Sequence, residues 1–223
     1  MVIYADTADL DDIGWLMSAP NIKGLTTNPA LMKKYGIDNY REFAIRVLEY
    51  TDKPVSFEVF SDDFQGMYNQ AQEIDKWGAN VYVKIPVTNT KGESCAPLMK
   101  ILGDEGIKVN ATAIMTMQQI DTVARSLVGP SILSIFAGRI ADTGRDPVPF
   151  ITQAIHVKKD ETKILWASTR EVLNVKQAEM AGADIITMTP DLIRKMDLIG
   201  KDLAQYSLET VQQFCKDAQG LTL

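Results

Sequence analysis

Apolar positions recur along this chain at two alternating spacings. Short runs rich in β-branched residues, with a period near two, occur at Val2–Ala5, Gly24–Thr27, Val55–Phe60, Asn80–Ile85, Lys108–Ala111, Ile132–Phe136, Lys163–Ala167 and Asp184–Met188. Between them the period lengthens to about 3.6, which predicts helices over Leu10–Met17, Pro29–Tyr50, Phe64–Trp77, Cys95–Leu102, Met117–Leu127, Pro147–Val157 and Glu171–Ala181. Strand-then-helix alternation from end to end implies parallel strands joined by helical crossovers. An open doubly wound sheet and a closed (β/α)8 TIM barrel both fit that order. Even spacing, and no GxGxxG after the first strand, favour the barrel. Beyond the last strand, residues 190–219 read as two extra C-terminal helices broken near Gly200. No repeat, low-complexity tract or linker interrupts the chain, so a single barrel domain over residues 1–223 is expected.

Composition narrows the chemistry. The chain is 46% hydrophobic and 23% charged, with a formal net charge of −6 and no basic run. A nucleic-acid binder or an anionic-membrane binder needs a basic face, so both classes are disfavoured. The opening "MVIYADTADLDD" has no basic segment followed by an apolar one and does not read as a signal peptide, and no stretch is long and apolar enough to span a bilayer. Cys95 and Cys215 are far apart and suit reduced thiols, so a cytoplasmic location is expected. The one histidine, His156, sits on a helical pattern ahead of "VKKD" and reads as solvent-facing. Histidine triads and multi-histidine metal sites are thereby removed. No metal and no cofactor are expected, and the chemistry falls to Lys, Asp, Glu, Ser, Thr, Asn or Arg.

In a barrel of this type functional groups project from the C-terminal ends of the strands. Those ends carry Asp6, Thr26-Thr27-Asn28, Glu58, Lys84, Asn110 and Thr112, then Ser134, Phe136 and Arg139, and finally Ser168 and Arg170. Lys84 stands out. It lies within "NVYVKIPV" (80–87), whose other members suggest a strand apolar on both faces. A lysine here can snorkel to water. It can also be a partly buried amine, whose neutral form burial favours and which attacks carbonyl carbon to form a Schiff base. Such chemistry needs proton transfer through a positioned water, a task for carboxylates. Asp6 and Glu58 supply two, although Asp6 could equally cap the first helix. Glu58 lies among Phe57, Val59 and Phe60, where a carboxylate should be paired or hold its proton more tightly. Arg139 and Arg170 suit a phosphate, with Ser168 adding a hydroxyl, or else they form surface ion pairs with Asp142 or Glu171.

With those residues placed, the chain resembles the transaldolase family, in the short single-barrel branch that also holds fructose-6-phosphate aldolase. The motifs are "YADTADL" (4–10), "GLTTNPALMKK" (24–34), "FEVF" (57–60), "VKIPVT" (83–88), "VNATAIMT" (109–116), "SIFAGRIAD" (134–142) and "WASTRE" (166–171). The resemblance implies that Lys84 is the Schiff-base lysine and that Asp6 handles the C4 hydroxyl proton. It implies that Glu58 and Thr112 hold the catalytic water, and that Asn28, Asn110 and Ser134 bind the dihydroxyacetone hydroxyls. Arg139, Ser168 and Arg170 match the phosphate set. The aldolases of this branch carry glutamine at the position of Glu58 and tyrosine at that of Phe136, so both residues match the transaldolase type. A tyrosine hydroxyl there could protonate an enamine and free dihydroxyacetone, whereas phenylalanine leaves the intermediate for an acceptor aldehyde. Sugar phosphates are therefore the expected partners, with transfer of a three-carbon unit from sedoheptulose 7-phosphate or fructose 6-phosphate. Release of free dihydroxyacetone is the alternative, and a barrel that only binds sugar phosphates is a rival from another class. The branch typically forms a ring-based decamer through its C-terminal helix, so a homo-oligomer is expected, with Leu208, Val211 and Phe214 as its apolar stripe. Two departures stand out, the long polar loop "TNTKGES" (88–94) and the tryptophan of "WAS", and each could alter substrate access or affinity.

Overall fold

The computed structural model describes residues 1–222. Its strands are β1 (Val2–Asp6), β2 (Ile22–Thr26), β3 (Val55–Glu58), β4 (Val81–Pro86), β5 (Val109–Ile114), β6 (Ser131–Ile135), β7 (Thr162–Trp166) and β8 (Ile185–Met188). Each pairs in parallel with its neighbours in chain order, and β1 pairs with β8 to close the barrel. The helices α1 (Leu10–Ser18), α2 (Pro29–Lys34), α3 (Tyr40–Tyr50), α4 (Phe64–Asp75), α5 (Ala96–Asp104), α6 (Met117–Ser126), α7 (Ala137–Asp142), α8 (Val148–Val157), α9 (Leu173–Met180) and α10 (Pro190–Lys195) follow their strands. A short 3-10 turn (Met196–Leu198) then leads to α11 (Leu203–Asp217). Among the described residues no helix is long and apolar enough to cross a membrane.

Side-chain alternation in the strands divides the apolar residues into two cores. Outward residues such as Val81, Val83, Ile85, Leu133, Ile135 and Trp166 join the helices in one large cluster. Inward residues Tyr4, Ile132, Leu165, Ala167 and Ile185 form a small plug, with Tyr82 and Phe136 packed against it. This corrects the expectation for "NVYVKIPV". The strand is apolar only on its outer face, and its inward positions are Tyr82 and Lys84. The plug fills the inside of the barrel, so the inward residues nearer the C-terminal rim are free to be polar.

Three other expectations change. The helical pattern over Pro29–Tyr50 is two helices, because Gly36 takes φ 64° and Asn39 starts α3 by accepting the Glu42 amide. Helix α7, which carries Arg139, was not foreseen; it runs only six residues, too few to show a helical period. β5 extends to Ile114, with its pairing to β6 shifting register after Ala111 and Ala113 at φ 63°. The break near Gly200 is present, at φ 82°. His156 is exposed on α8, Cys95 is buried and Cys215 is exposed.

Gly24 is the inward position of β2 opposite Tyr4. A Cβ there would lie 2.6 Å from the Tyr4 ring, so the ring occupies the space a side chain would need. Gly24→Ala should therefore cost about 1–3 kcal/mol by overpacking the plug, read as a lower urea midpoint with unchanged slope.

Candidate active site

Above the plug, at the C-terminal rim, lies a cavity of about 340 Å³. A groove of about 420 Å³ runs outside the barrel between α4 and α5; its lining holds no lysine, and its one carboxylate, Glu105, is already held by Tyr68 and Gln72. The rim is where the reactive groups meet. Glu58 and Lys84 are register partners on adjacent strands, as are Lys84 and Asn110, and Pro86 and Thr112. Neighbouring strands lie about 4.8 Å apart, so these inward side chains share one space.

Lys84 is 6% exposed, and its Nζ donates to the Thr27 carbonyl at 2.8 Å. Asp6 Oδ1 accepts from Thr26 Oγ1 at 2.9 Å, and Thr26 Oγ1 lies 2.6 Å from Thr187 Oγ1. If Thr187 donates to Thr26, the Thr26 proton is left for Asp6, and the carboxylate is held in one orientation. Asp6 therefore does not serve as the cap of α1, which is capped by Asp9. Burial pushes the Asp6 carboxyl above the ordinary range, against the pull of Lys84 and of the Thr26 hydrogen bond. Burial raises Glu58 as well, with Lys84 opposing and the Asp6 charge adding to the rise. Thr112 Oγ1, also in the cavity wall, is buried without a hydrogen-bond partner in the protein. A buried hydroxyl left unpaired is costly unless something else supplies a partner.

Asn28 lines the cavity while its Oδ1 caps α2, accepting the Leu31 amide at 3.0 Å, so its amide donor stays available. Ser134 also lines the wall, but its hydroxyl donates to Asn110 Oδ1 at 2.7 Å. Asn110 is fully buried beneath the wall, and its amide donates to Ser56 Oγ at 2.9 Å. Each end of Asn110 thus makes one hydrogen bond to protein. Phe136 packs on the plug, and the Arg139 guanidinium lies 5.6 Å from its ring centroid. Arg139 reaches the cavity, and among the described residues it makes no ion pair. Ser168 lines the cavity at φ 62°, a strained value for a residue with a side chain. A Cβ on Gly138 would lie 1.6 Å from the Ser168 carbonyl, so only glycine lets α7 approach that turn.

Arg170 stands apart. It grips Asp142 with two hydrogen bonds, Nε to Oδ1 at 3.2 Å and Nη2 to Oδ2 at 2.5 Å, and does not line the cavity. The surface ion pair considered from sequence is the arrangement found. The 88–94 loop is likewise off the cavity, tied to Asp62 through the Thr90 amide and hydroxyl. Trp166 points into the outer core. Sequence reasoning did not single out Thr187, Ser56 or Tyr40 as functional residues, since a lone hydroxyl in a strand or helix carries no spacing signal.

Among the described residues no three His, Cys, Asp or Glu side chains group as a metal site. The arrangement joins a buried amine, two carboxyls of raised proton affinity, an unpaired hydroxyl and a free guanidinium. It can add an amine to a carbonyl, move protons around the adduct and hold an anion at one side.

The model of the family described as Transaldolase/Fructose-6-phosphate aldolase matches residues 3–223. A protein named "Probable transaldolase" from Hyphomonas neptunium is 35% identical, over 98% of this chain and 97% of its own. One of the same name from Carboxydothermus hydrogenoformans is 35% identical over 88% of this chain and 90% of its own. Among solved structures, the 3-hexulose-6-phosphate synthase of Salmonella typhimurium superposes with a TM-score of 0.59 at 16% identity, covering 85% of this chain and 89% of that one. That likeness is one of fold.

The raised Glu58 carboxyl has a consequence for stability. The folded chain keeps this proton to higher pH than the unfolded chain. Stability therefore falls as pH rises from the ordinary carboxylate value through the folded one. Glu58→Gln resembles the protonated form. The variant should melt higher than the parent at neutral pH, by about 2–4 °C for each kcal/mol relieved, and the gap should close below the ordinary carboxylate range. Thermal melts across pH check both signs.

Proposed function

The chain belongs to the transaldolase/fructose-6-phosphate aldolase family, and on that premise we propose that it moves a dihydroxyacetone unit between sugar phosphates through a Schiff base on Lys84. The coarser conclusion, an enzyme of transaldolase type, follows from the family itself. One observation carries the finer reading: a 6% exposed lysine opens onto the same cavity as Asp6, Glu58 and Thr112.

In this reading the amine of Lys84 adds to the C2 ketone of sedoheptulose 7-phosphate or fructose 6-phosphate. Loss of water leaves an iminium, with Glu58 moving protons through a water that Thr112 Oγ1 helps to hold. Asp6 takes the C4 hydroxyl proton, the C3–C4 bond breaks, and its electron pair enters the iminium as an enamine. The aldose phosphate leaves. The enamine carbon then attacks glyceraldehyde 3-phosphate or erythrose 4-phosphate, Asp6 returns the proton, and water releases the new ketose. A base at Asp6 must be ionised, so its raised affinity for the proton makes it a stronger base for this step.

The free end of Asn28 and the Ser134 hydroxyl suit the dihydroxyacetone end, and the buried Asn110 acts by fixing Ser134. Arg139 and Ser168 suit the phosphate. Arg170 would join them only on leaving Asp142. No tyrosine lines the cavity among the described residues, which supports transfer over release of free dihydroxyacetone.

Borohydride with fructose 6-phosphate should label Lys84 covalently, seen as a peptide mass shift. Full labelling of Lys84→Ala would overturn the assignment. A coupled assay should show transfer from sedoheptulose 7-phosphate well above release of dihydroxyacetone; the reverse ratio would make this an aldolase.

We also propose that copies of the chain associate through α11. None of its residues is buried, and Leu208, Val211 and Phe214 lie 51%, 59% and 66% exposed. Light scattering should give a mass several times the 24.7 kDa of one chain, and a monomer would refute the assembly.

A further inference from the structure

The end of β3 departs from a regular parallel ladder. In such a ladder, a residue whose amide donates to one partner carbonyl accepts from the amide two residues further along that partner. The Thr27 amide donates to the Ser56 carbonyl at 3.3 Å, so the next rung would run from the Glu58 amide to the Thr27 carbonyl. That rung is replaced. The Thr27 carbonyl accepts Lys84 Nζ at 2.8 Å, and the Glu58 amide donates instead to Tyr40 Oη at 2.7 Å. The same phenol donates to the Glu58 carbonyl at 3.2 Å, so one side-chain oxygen satisfies both backbone groups of the residue.

Tyr40 is well held for this. It opens α3, whose first turn is capped by Asn39. Its ring meets Phe57 edge-on at 5.9 Å and Trp77 at 5.2 Å, and tilts against Phe60 at 4.5 Å. Helix α3 thus projects a rigid donor–acceptor onto the strand end that presents Glu58.

The geometry points to Tyr40 as a positioning residue: its hydroxyl takes the sheet rung at Glu58 and so reserves the Thr27 carbonyl for the amine of Lys84. Without that hydroxyl the Glu58 amide must pair elsewhere or go unpaired. The nearest carbonyl in ladder register is that of Thr27, which Lys84 then has to share. The strand end would turn toward β2, and both the amine and the Glu58 carboxylate would lose their places. Its consequence for turnover rests on the Schiff-base reading; its consequence for stability does not.

Tyr40→Phe keeps the ring and removes the rung. It should lower kcat for transfer about tenfold, as expected for a misplaced hydrogen-bonded group, with KM nearly unchanged. A purely structural role would leave kcat intact. Thermal melts of Tyr40→Phe, Lys84→Met and the double variant form the cycle that isolates the exchange. In the parent, Tyr40→Phe should lower Tm by about 2–4 °C. In the Lys84→Met background the Thr27 carbonyl is free to take the Glu58 amide, so the same change should cost less than half as much. Equal costs in both backgrounds, or an unchanged kcat in Tyr40→Phe, would overturn the proposal. The cycle stands even if borohydride fails to trap a sugar on Lys84, so the two readings fail separately.

Discussion

A closed parallel barrel allows each strand only alternate residues on its inner side, and the rest of this molecule follows from that restriction. Once Tyr4, Ile132, Leu165 and Ile185 fill the inside, the next inward positions must face the rim. Asp6, Glu58, Lys84 and Thr112 occupy those positions on β1, β3, β4 and β5. The outer helices are indifferent to them, because the alternate residues Val83, Ile85 and Phe57 meet the helices instead. Fold stability and site chemistry therefore draw on opposite faces of the same strands. A lysine can sit in the middle of an apolar-looking run because the apolar residues belong to the other face.

The polar inner layer is costly to maintain. Burial pushes both Asp6 and Glu58 toward holding their protons, the Asp6 charge adds to the rise at Glu58, and Lys84 opposes both only in part. The backbone is strained at two residues of the same rim, Ala113 and Ser168, which take positive φ. These costs concentrate at one end of the barrel, where loops rather than ladders set the geometry.

How much of this can be read from sequence differs by element. Periodicity marks the strands well because their outer faces are continuous in Val, Ile and Leu. The rim residues Lys84, Glu58 and Asp6 follow from where those runs end. Helix α7 and the split between α2 and α3 are harder, since six-residue helices span fewer than two turns and a single Gly36 looks tolerable in a long pattern. Arg170 shows a different limit. Its position after β7 suited a phosphate, but whether it faces the cavity or grips Asp142 depends on a contact between segments that sequence spacing does not encode. Tyr40 and Thr187 were illegible for the same reason: each acts across strands or helices on a residue far away in the chain.

The distinction between Arg139 and Arg170 bears on how such a site meets an anion. Arg139 is exposed, lies over the Phe136 ring and reaches the cavity, so under the proposed reading a phosphate would meet a cation without having to displace a carboxylate. Arg170 already has a bidentate partner, and recruiting it would leave the Asp142 charge unpaired. Both members of that pair are about half exposed, so water can compensate much of the loss and the pair is worth little. In the proposed reading Arg139 is open to an anion as it stands, whereas Arg170 has to give up Asp142 first, at low cost. The close approach of Gly138 to Ser168 supplies the link, since it ties the turn that precedes Arg170 to the first turn of the helix that carries Arg139.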